Sequence, residues 1–180
     1  EVDGNVFSAS VIDTFITMAE NRILRDIDLD VFKKESTGTM TDGNKFLGAP
    51  TDILTHRYMF ITVSGEKVYL DFRDTSFMKE YWPDPTSKGV PKYYSVWDQN
   101  TFHLAPTPDA DYAVELGYIY RPAQLSSTNT TTWISTNAPE ALLYATLIQA
   151  YSYTKGPIEM MQYFENSYKQ AIEGLGIEQQ

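Results

Sequence analysis

The 180-residue sequence predicts an α+β fold: a helical bundle, made of an N-terminal helix and a C-terminal helical hairpin, packed beside a small antiparallel β domain. Three observations predict it. Apolar residues recur at helical spacing near both ends of the chain. The middle switches to period-two alternation rich in β-branched and aromatic residues. Turn punctuation such as Asp42-Gly43, Ser64-Gly65 and Gly156-Pro157 separates the runs. A chain of this length buries on the order of 70% of its unfolded surface, so it needs no disulfide or metal staple. The expected parts are residues 1–30 (first helix of the bundle), 31–122 (β-rich domain) and 123–180 (polar loop, helical hairpin and tail).

The first helix is expected from about Ser10 to Asp28, with Ile12, Phe15, Ile16, Ala19, Ile23 and Ile27 as its apolar stripe. Ser8 or Ser10 is its expected N-cap, Asp13 falls in its first turn, and Glu20, Asn21, Arg22 and Arg25 form its polar face. Asp42-Gly43 marks a hairpin after Thr39–Thr41, and Ala49-Pro50-Thr51-Asp52 breaks the chain. Arg57–Val63 reads as a strand that turns at Ser64-Gly65 and returns from Lys67 to Phe72. Asp74 caps a short helix, Thr75 to Tyr81, which Pro83 and Pro85 end. Strands Tyr93–Trp97, Thr101–Leu104 and Tyr112–Tyr120 follow, with turns at Asp98–Asn100 and Pro106–Asp109. Glu115, mid-strand, is expected to face solvent or a partner.

Ser126 to Thr132 reads as a polar loop. Asn137 with Glu140 makes a capping-box-like start to a helix carrying Leu142, Leu143, Ala145, Leu147 and Ala150, with Pro139 in its first turn. Thr146 is placed to bond back to the carbonyl one turn earlier. The last helix, about Ile158 to Glu173, carries Met161, Phe164, Tyr168, Ala171 and Ile172 and is expected to stop at Gly174 and Gly176. Gln179 and Gln180 are expected to belong to a mobile tail.

Composition removes several classes of chemistry. There is no cysteine, so thiolate metal sites, iron–sulfur clusters and cysteine nucleophiles are excluded. Twenty-four acidic against fourteen basic residues give a net charge of −10, which argues against binding nucleic acid through its phosphates. No apolar run approaches the length of a membrane span. Glu1-Val2-Asp3-Gly4 has neither a basic nor an apolar character, so no signal peptide is expected. The two histidines, His56 and His103, lie in separate strand-like runs and read as structural rather than as ligands. Asp26, Asp28 and Asp30 alternate like a calcium loop, but Val31 stands where glycine is needed and Thr37 where a bidentate Glu is needed. Neither a nucleophile elbow nor a Gly-rich phosphate cradle occurs. Asn129-Thr130-Thr131 is a formal sequon, read here as plain polar loop. No catalytic, cofactor-binding or metal-binding residue is therefore assigned, no cofactor is expected, and the chain is not expected to be an enzyme.

Aromatic side chains are abundant: Tyr81-Trp82, Tyr93-Tyr94, Trp97, Tyr118, Tyr120 and Trp133 among them. One reading is core plus protein interface, where Tyr and Trp are favoured. The alternative is a carbohydrate-binding module whose exposed rings stack on sugars.

The collinear order of signals carries a resemblance. It runs from Ala19-Glu20-x-Arg22-Ile23-x-Arg25-Asp26 through Gly89-Val90-Pro91-Lys92-Tyr93-Tyr94 and Leu104-x-Pro106-x-Pro108. Val114-Glu115-Leu116-x-Tyr118, Arg121-Pro122 and Leu125-Ser126 come next, then Ala138-Pro139-Glu140-Ala141-Leu142-Leu143-Tyr144-Ala145 and Tyr168-x-x-Ala171. The chain thus resembles the head-to-tail adaptor proteins of short-tailed bacteriophages, the tail tubular protein A or gatekeeper-like connectors. The resemblance implies a structural virion protein, assembled in the host cytoplasm, forming a homododecameric ring at the head–tail interface. Its implied partners are the portal protein, the tail nozzle protein, further copies of itself and the tail fibre, with DNA only passing through the lumen and no membrane contact. It also implies that the C-terminal segment reaches toward the portal and that the β part faces tail proteins. Lys33, Lys34, Lys155 and Lys169 are the candidates for neutralising neighbouring subunits or portal.

Overall fold

A computed structural model describes residues 7–27 and 29–178. The expectations placed on Glu1–Gly4, Asp28, Gln179 and Gln180 lie outside the described residues. The class is α+β, with five helices and a seven-stranded sheet among the described residues. Two compact units divide it: the described residues up to Val31 with those from Pro122 onward, and Phe32–Arg121.

In the helical unit, α1 (Ala9–Asp26), α3 (Trp133–Asn137), α4 (Pro139–Thr154) and α5 (Ile158–Glu178) share one core. Phe15, Ala19, Ile23 and Leu24 of α1, Ala141, Ala145 and Ile148 of α4, and Phe164, Tyr168 and Leu175 of α5 are buried. Alanines on α1 and α4 let those helices lie close, and Phe15 packs edge-on against Phe7 at 5.3 Å and Tyr153 at 5.5 Å.

The structure corrects the helical reading at several positions. Ser8 is the N-cap, but through its carbonyl, which accepts from Val11 and Ile12; its side chain makes no cap bond, and Ser10 lies inside the helix. Asp13 falls in the second turn, Ile12 is exposed, and Glu20, expected on the polar face, is buried. The Ser126–Thr132 loop is non-helical as expected, but it is followed by an unexpected short helix, α3, where Thr132 and Ser135 make a reciprocal capping box. The cap of α4 is then Ala138, not Asn137, whose amide donates to the Trp133 carbonyl instead. Leu143 is exposed at 55%, not core. The Thr146 hydroxyl does bond back, to the Leu142 carbonyl at 2.7 Å. Lys155 closes α4 in the left-handed conformation, and α5 runs on through Gly174 and Gly176 to Glu178. A glycine inside a helix costs about 1 kcal/mol, and burial of Leu175 between the two offsets it.

A short 3₁₀ turn, Leu29–Phe32, precedes the β unit. Its strands are β1 (Lys33–Met40), β2 (Phe46–Gly48), β3 (Ile53–Val63), β4 (Glu66–Phe72), β5 (Lys88–Gly89), β6 (Tyr93–Asp98), β7 (Thr101–Ala105), β8 (Thr107–Pro108) and β9 (Tyr112–Tyr120). The main sheet has the order β1-β9-β3-β4-β6-β7-β2, while β5 and β8 form a separate two-stranded ladder. Alternation explains the core. Met40, Met59, Ile61, Leu70, Tyr94, Phe102, Leu104, Val114 and Leu116 all point to one side and bury together.

Ser64 and Gly65, both at positive φ, close the tight β3–β4 turn, and Asp74 caps α2 (Thr75–Tyr81) by accepting from the Phe77 amide at 3.0 Å. The Asp42-Gly43 turn also forms, but it does not pair its flanking strands: β1 runs against β9 and β2 against β7. β3 begins at Ile53, four residues before the expected Arg57, and the expected Pro106–Asp109 turn contains β8. All pairs in the main sheet are antiparallel except β4 with β6, which α2 connects as a crossover. At Gly117 a Cβ would sit 2.3 Å from the Tyr58 ring, so only glycine lets that ring lie across β9 and donate its hydroxyl to Glu35.

Candidate interaction surface

The groups with potential chemistry are dispersed or already committed. His56 is half-buried against Phe72 (4.3 Å) and Tyr94 (5.4 Å), and burial lowers its pKa. His103 is buried, and its pKa is lowered by burial first and then by the charges of Lys45 and Lys79. Both imidazoles are thereby kept neutral at pH 7. Asp26 accepts the Tyr168 hydroxyl at 2.6 Å and lies 3.8 Å from the Arg22 guanidinium, which holds it inside the helical unit. Among the described residues no three His, Asp or Glu side chains converge on a point where a metal could sit. A cleft of about 240 Å³ between the two edge strands, bounded by Ser36–Gly38 and Leu47–Pro50, is lined without any ionisable side chain.

Polar anchoring is strongest in the helical unit. The buried Glu20 carboxylate accepts from the Leu125 amide at 3.1 and 3.2 Å and from the Thr132 hydroxyl at 3.4 Å, which ties the loop before α3 to α1. Burial raises its pKa, while those two hydrogen bonds pull it back. Arg22 makes a two-pronged bond to Glu165, at 2.9 and 2.7 Å, and this bond holds the Glu165 carboxyl below its ordinary value. Asn129, the sequon residue, donates to the Gln124 carbonyl at 2.9 Å and is partly buried. Nothing in the sequence around Glu20 marks it as buried, because its partners lie more than 100 residues away.

The aromatic residues divide among distinct roles. Tyr94 and Tyr118 are core, and the Tyr118 hydroxyl donates to Asp52 at 2.9 Å. Tyr120 packs on Phe32 at 5.7 Å, beneath the Lys34 ammonium. Tyr81 stacks on Phe77 and meets Tyr93 edge-on at 4.8 Å, and the Trp82 indole donates to the Ser87 carbonyl at 2.8 Å. Trp133 is half-buried at the start of α3. Trp97 remains 44% exposed. Other large apolar side chains stand in solvent: Tyr153 (65%), Ile158 (71%) and Tyr163 (56%) on the helical unit, and Tyr69 and Phe72 on the β unit. Of the four lysines singled out, Lys33 is exposed at the start of β1, Lys34 is already paired with Asp52 at 2.8 Å, Lys155 is an exposed helix cap, and Lys169 is exposed near Glu165.

A family model described as SU10 adaptor protein matches residues 2–180, nearly the whole chain. The chain belongs to the SU10 adaptor protein family. It is therefore a structural phage protein of the adaptor type, a virion component whose work is contact with other capsid and tail parts. No curated protein matches the adaptor. No described helix of the adaptor is long and apolar enough to cross a membrane. Its charge is unevenly divided. Residues 1–31 and 122–180 hold 12 acidic and 4 basic side chains, a net −8, while residues 32–121 hold 12 and 10, a net −2.

Proposed function

We propose that this adaptor forms a closed ring, dodecameric in the manner of tail tubular proteins of short-tailed phages, which joins the portal to the tail nozzle and continues the DNA channel for ejection. Family membership over residues 2–180 is the observation that carries the reading. Two further features support it. Large apolar side chains stand exposed on both units, as contact surfaces require. The acidic surplus would gather on the order of 120 negative charges around one axis in a twelve-fold ring, and acids facing the lumen would repel the DNA backbone and let it slide. The portal, the nozzle, neighbouring copies and the tail fibre are the proposed partners, and the expected domain parts correspond to this division of labour, with helices toward the portal and strands toward the tail.

The test is to mix the purified chain with portal protein and follow mass photometry and negative-stain images. Closed rings on the portal are expected. A chain that stays monomeric with portal present at micromolar concentration sinks the reading.

A further inference from the structure

Trp97 is the exposed tip of a preformed cluster. Its ring rests on Phe46 of β2 at 5.5 Å and on His103 of β7 at 5.6 Å, and those two rings lie 5.6 Å apart. Two ammonium groups flank it: Lys79 Nζ is 5.2 Å from the Trp97 ring and Lys45 Nζ is 5.1 Å from the Phe46 ring. Neither lysine makes an ion pair among the described residues, whereas Lys34, Lys67 and Lys88 each hold a carboxylate at 2.7 or 2.8 Å. Asp98, which follows Trp97 in the chain, is turned back on its own hairpin, where it accepts from the Asn100 amide at 2.8 Å. His103 beneath the cluster is 5% exposed, and its Nδ1 has no hydrogen-bond partner. The lysines' charges both reach that imidazole, which places them around one spot.

A rigid indole between two unneutralised cations is an anchor for carboxylates carried on an apolar surface. Tryptophan dominates interface energetics when it is held in place beforehand, and flanking charge selects the sign of the partner. The complementary charge is on the chain itself. In the helical unit Asp13, Glu140, Glu159 and Glu173 are exposed and make no ion pair among the described residues, and Ile158, Met160 and Tyr163 stand exposed on the same helix as two of them. We propose that the Trp97–Lys45–Lys79 patch docks the acidic helical unit of a second copy of this chain. The inference rests on the ring reading above and assigns one of its subunit contacts.

The experiment compares the chain with its Lys45→Glu/Lys79→Glu double variant and with Trp97→Ala, each mixed with portal protein and counted as rings. The three substitutions are at solvent-accessible positions, and circular dichroism checks that each variant is folded. A loss of about tenfold or more in ring yield is expected for both variants, and for the unaltered chain when salt is raised from about 0.05 to about 0.5 M. Undiminished rings from the double variant overturn this contact and leave the ring standing, whereas no rings from the unaltered chain overturn the ring reading and this inference with it. Zero-length carbodiimide coupling of mixed light and ¹⁵N-labelled copies gives an independent readout. Lys45 or Lys79 joined to a helical-unit carboxylate of the other isotope supports the proposal. Coupling of these lysines only to β-unit carboxylates, or not at all between copies, overturns it.

Discussion

The two units are built by different rules. The β unit buries a nearly all-apolar face and keeps its ion pairs, such as Lys67–Glu115 and Lys88–Asp42, on the surface. The helical unit buries a carboxylate, joins α1 to α5 through Arg22–Glu165 and Asp26–Tyr168, and carries most of the net charge. Exposed pairs between strands contribute little, while a buried carboxylate with three donor contacts fixes a unique arrangement and is costly to disturb. The helical unit is therefore the more sensitive to pH and to polar substitution, and the β unit to changes of shape.

The sharpest break of the comparison is in the helical core. Phe15→Ala removes a ring packed between Phe7 and Tyr153 and is expected to lower stability by about 3–5 kcal/mol, read from urea unfolding. Next comes Glu20→Ala, which strands the Leu125 amide and the Thr132 hydroxyl and should cost about 1–3 kcal/mol. In the β unit, Gly117→Ala forces the Tyr58 ring off β9 and should cost about 1–3 kcal/mol by the same assay. Asp74→Ala, which removes the α2 cap, should cost about 1 kcal/mol.

The pH response sharpens the contrast further, because two carboxylates of the helical unit act with opposite sign. Glu20 has its folded pKa raised by burial, so its ionisation erodes stability as pH rises from near its ordinary 4.5 through the raised value. Glu165 has its folded pKa lowered by Arg22, so its contribution is present above its ordinary 4.5 and is lost as pH falls through the lowered value. Melting followed from about pH 7 to about pH 3 should therefore lose part of its acid sensitivity in Glu165→Gln and gain acid sensitivity in Glu20→Gln. An unchanged pH profile in both variants breaks the distinction drawn between the units.

Local signals were legible in the sequence, and distant ones were not. Asp74 and the prolines after Tyr81 bound α2 at its actual ends, because a cap and a stop act within four residues. Ser64-Gly65 specified both a turn and its pairing, since two residues at positive φ leave β3 and β4 no other register. Asp42-Gly43 specified only a turn: β1 pairs instead with β9 and β2 with β7, strands dozens of residues away that a local turn signal does not report. Glu20 read as surface because its charge is typical of surface, and only the folded loop at Leu125 and Thr132 makes its burial tolerable. Trp97 is visible in the sequence as one aromatic among many, but its flanking lysines at positions 45 and 79 come together only through β2, α2 and β6.

The single parallel pairing in the sheet has a mechanical consequence. β4 and β6 meet over only two register positions, Asp71 with Tyr93 and Phe72 with Tyr94, with backbone bonds from the Asp71 amide to Lys92 and from the Arg73 amide to Tyr94. On either side the ladders are longer, five rungs between β3 and β4 and five between β6 and β7. A tensile load applied across the sheet would part it between these strands before any other, leaving β3–β4 and β6–β7 each intact as its own hairpin.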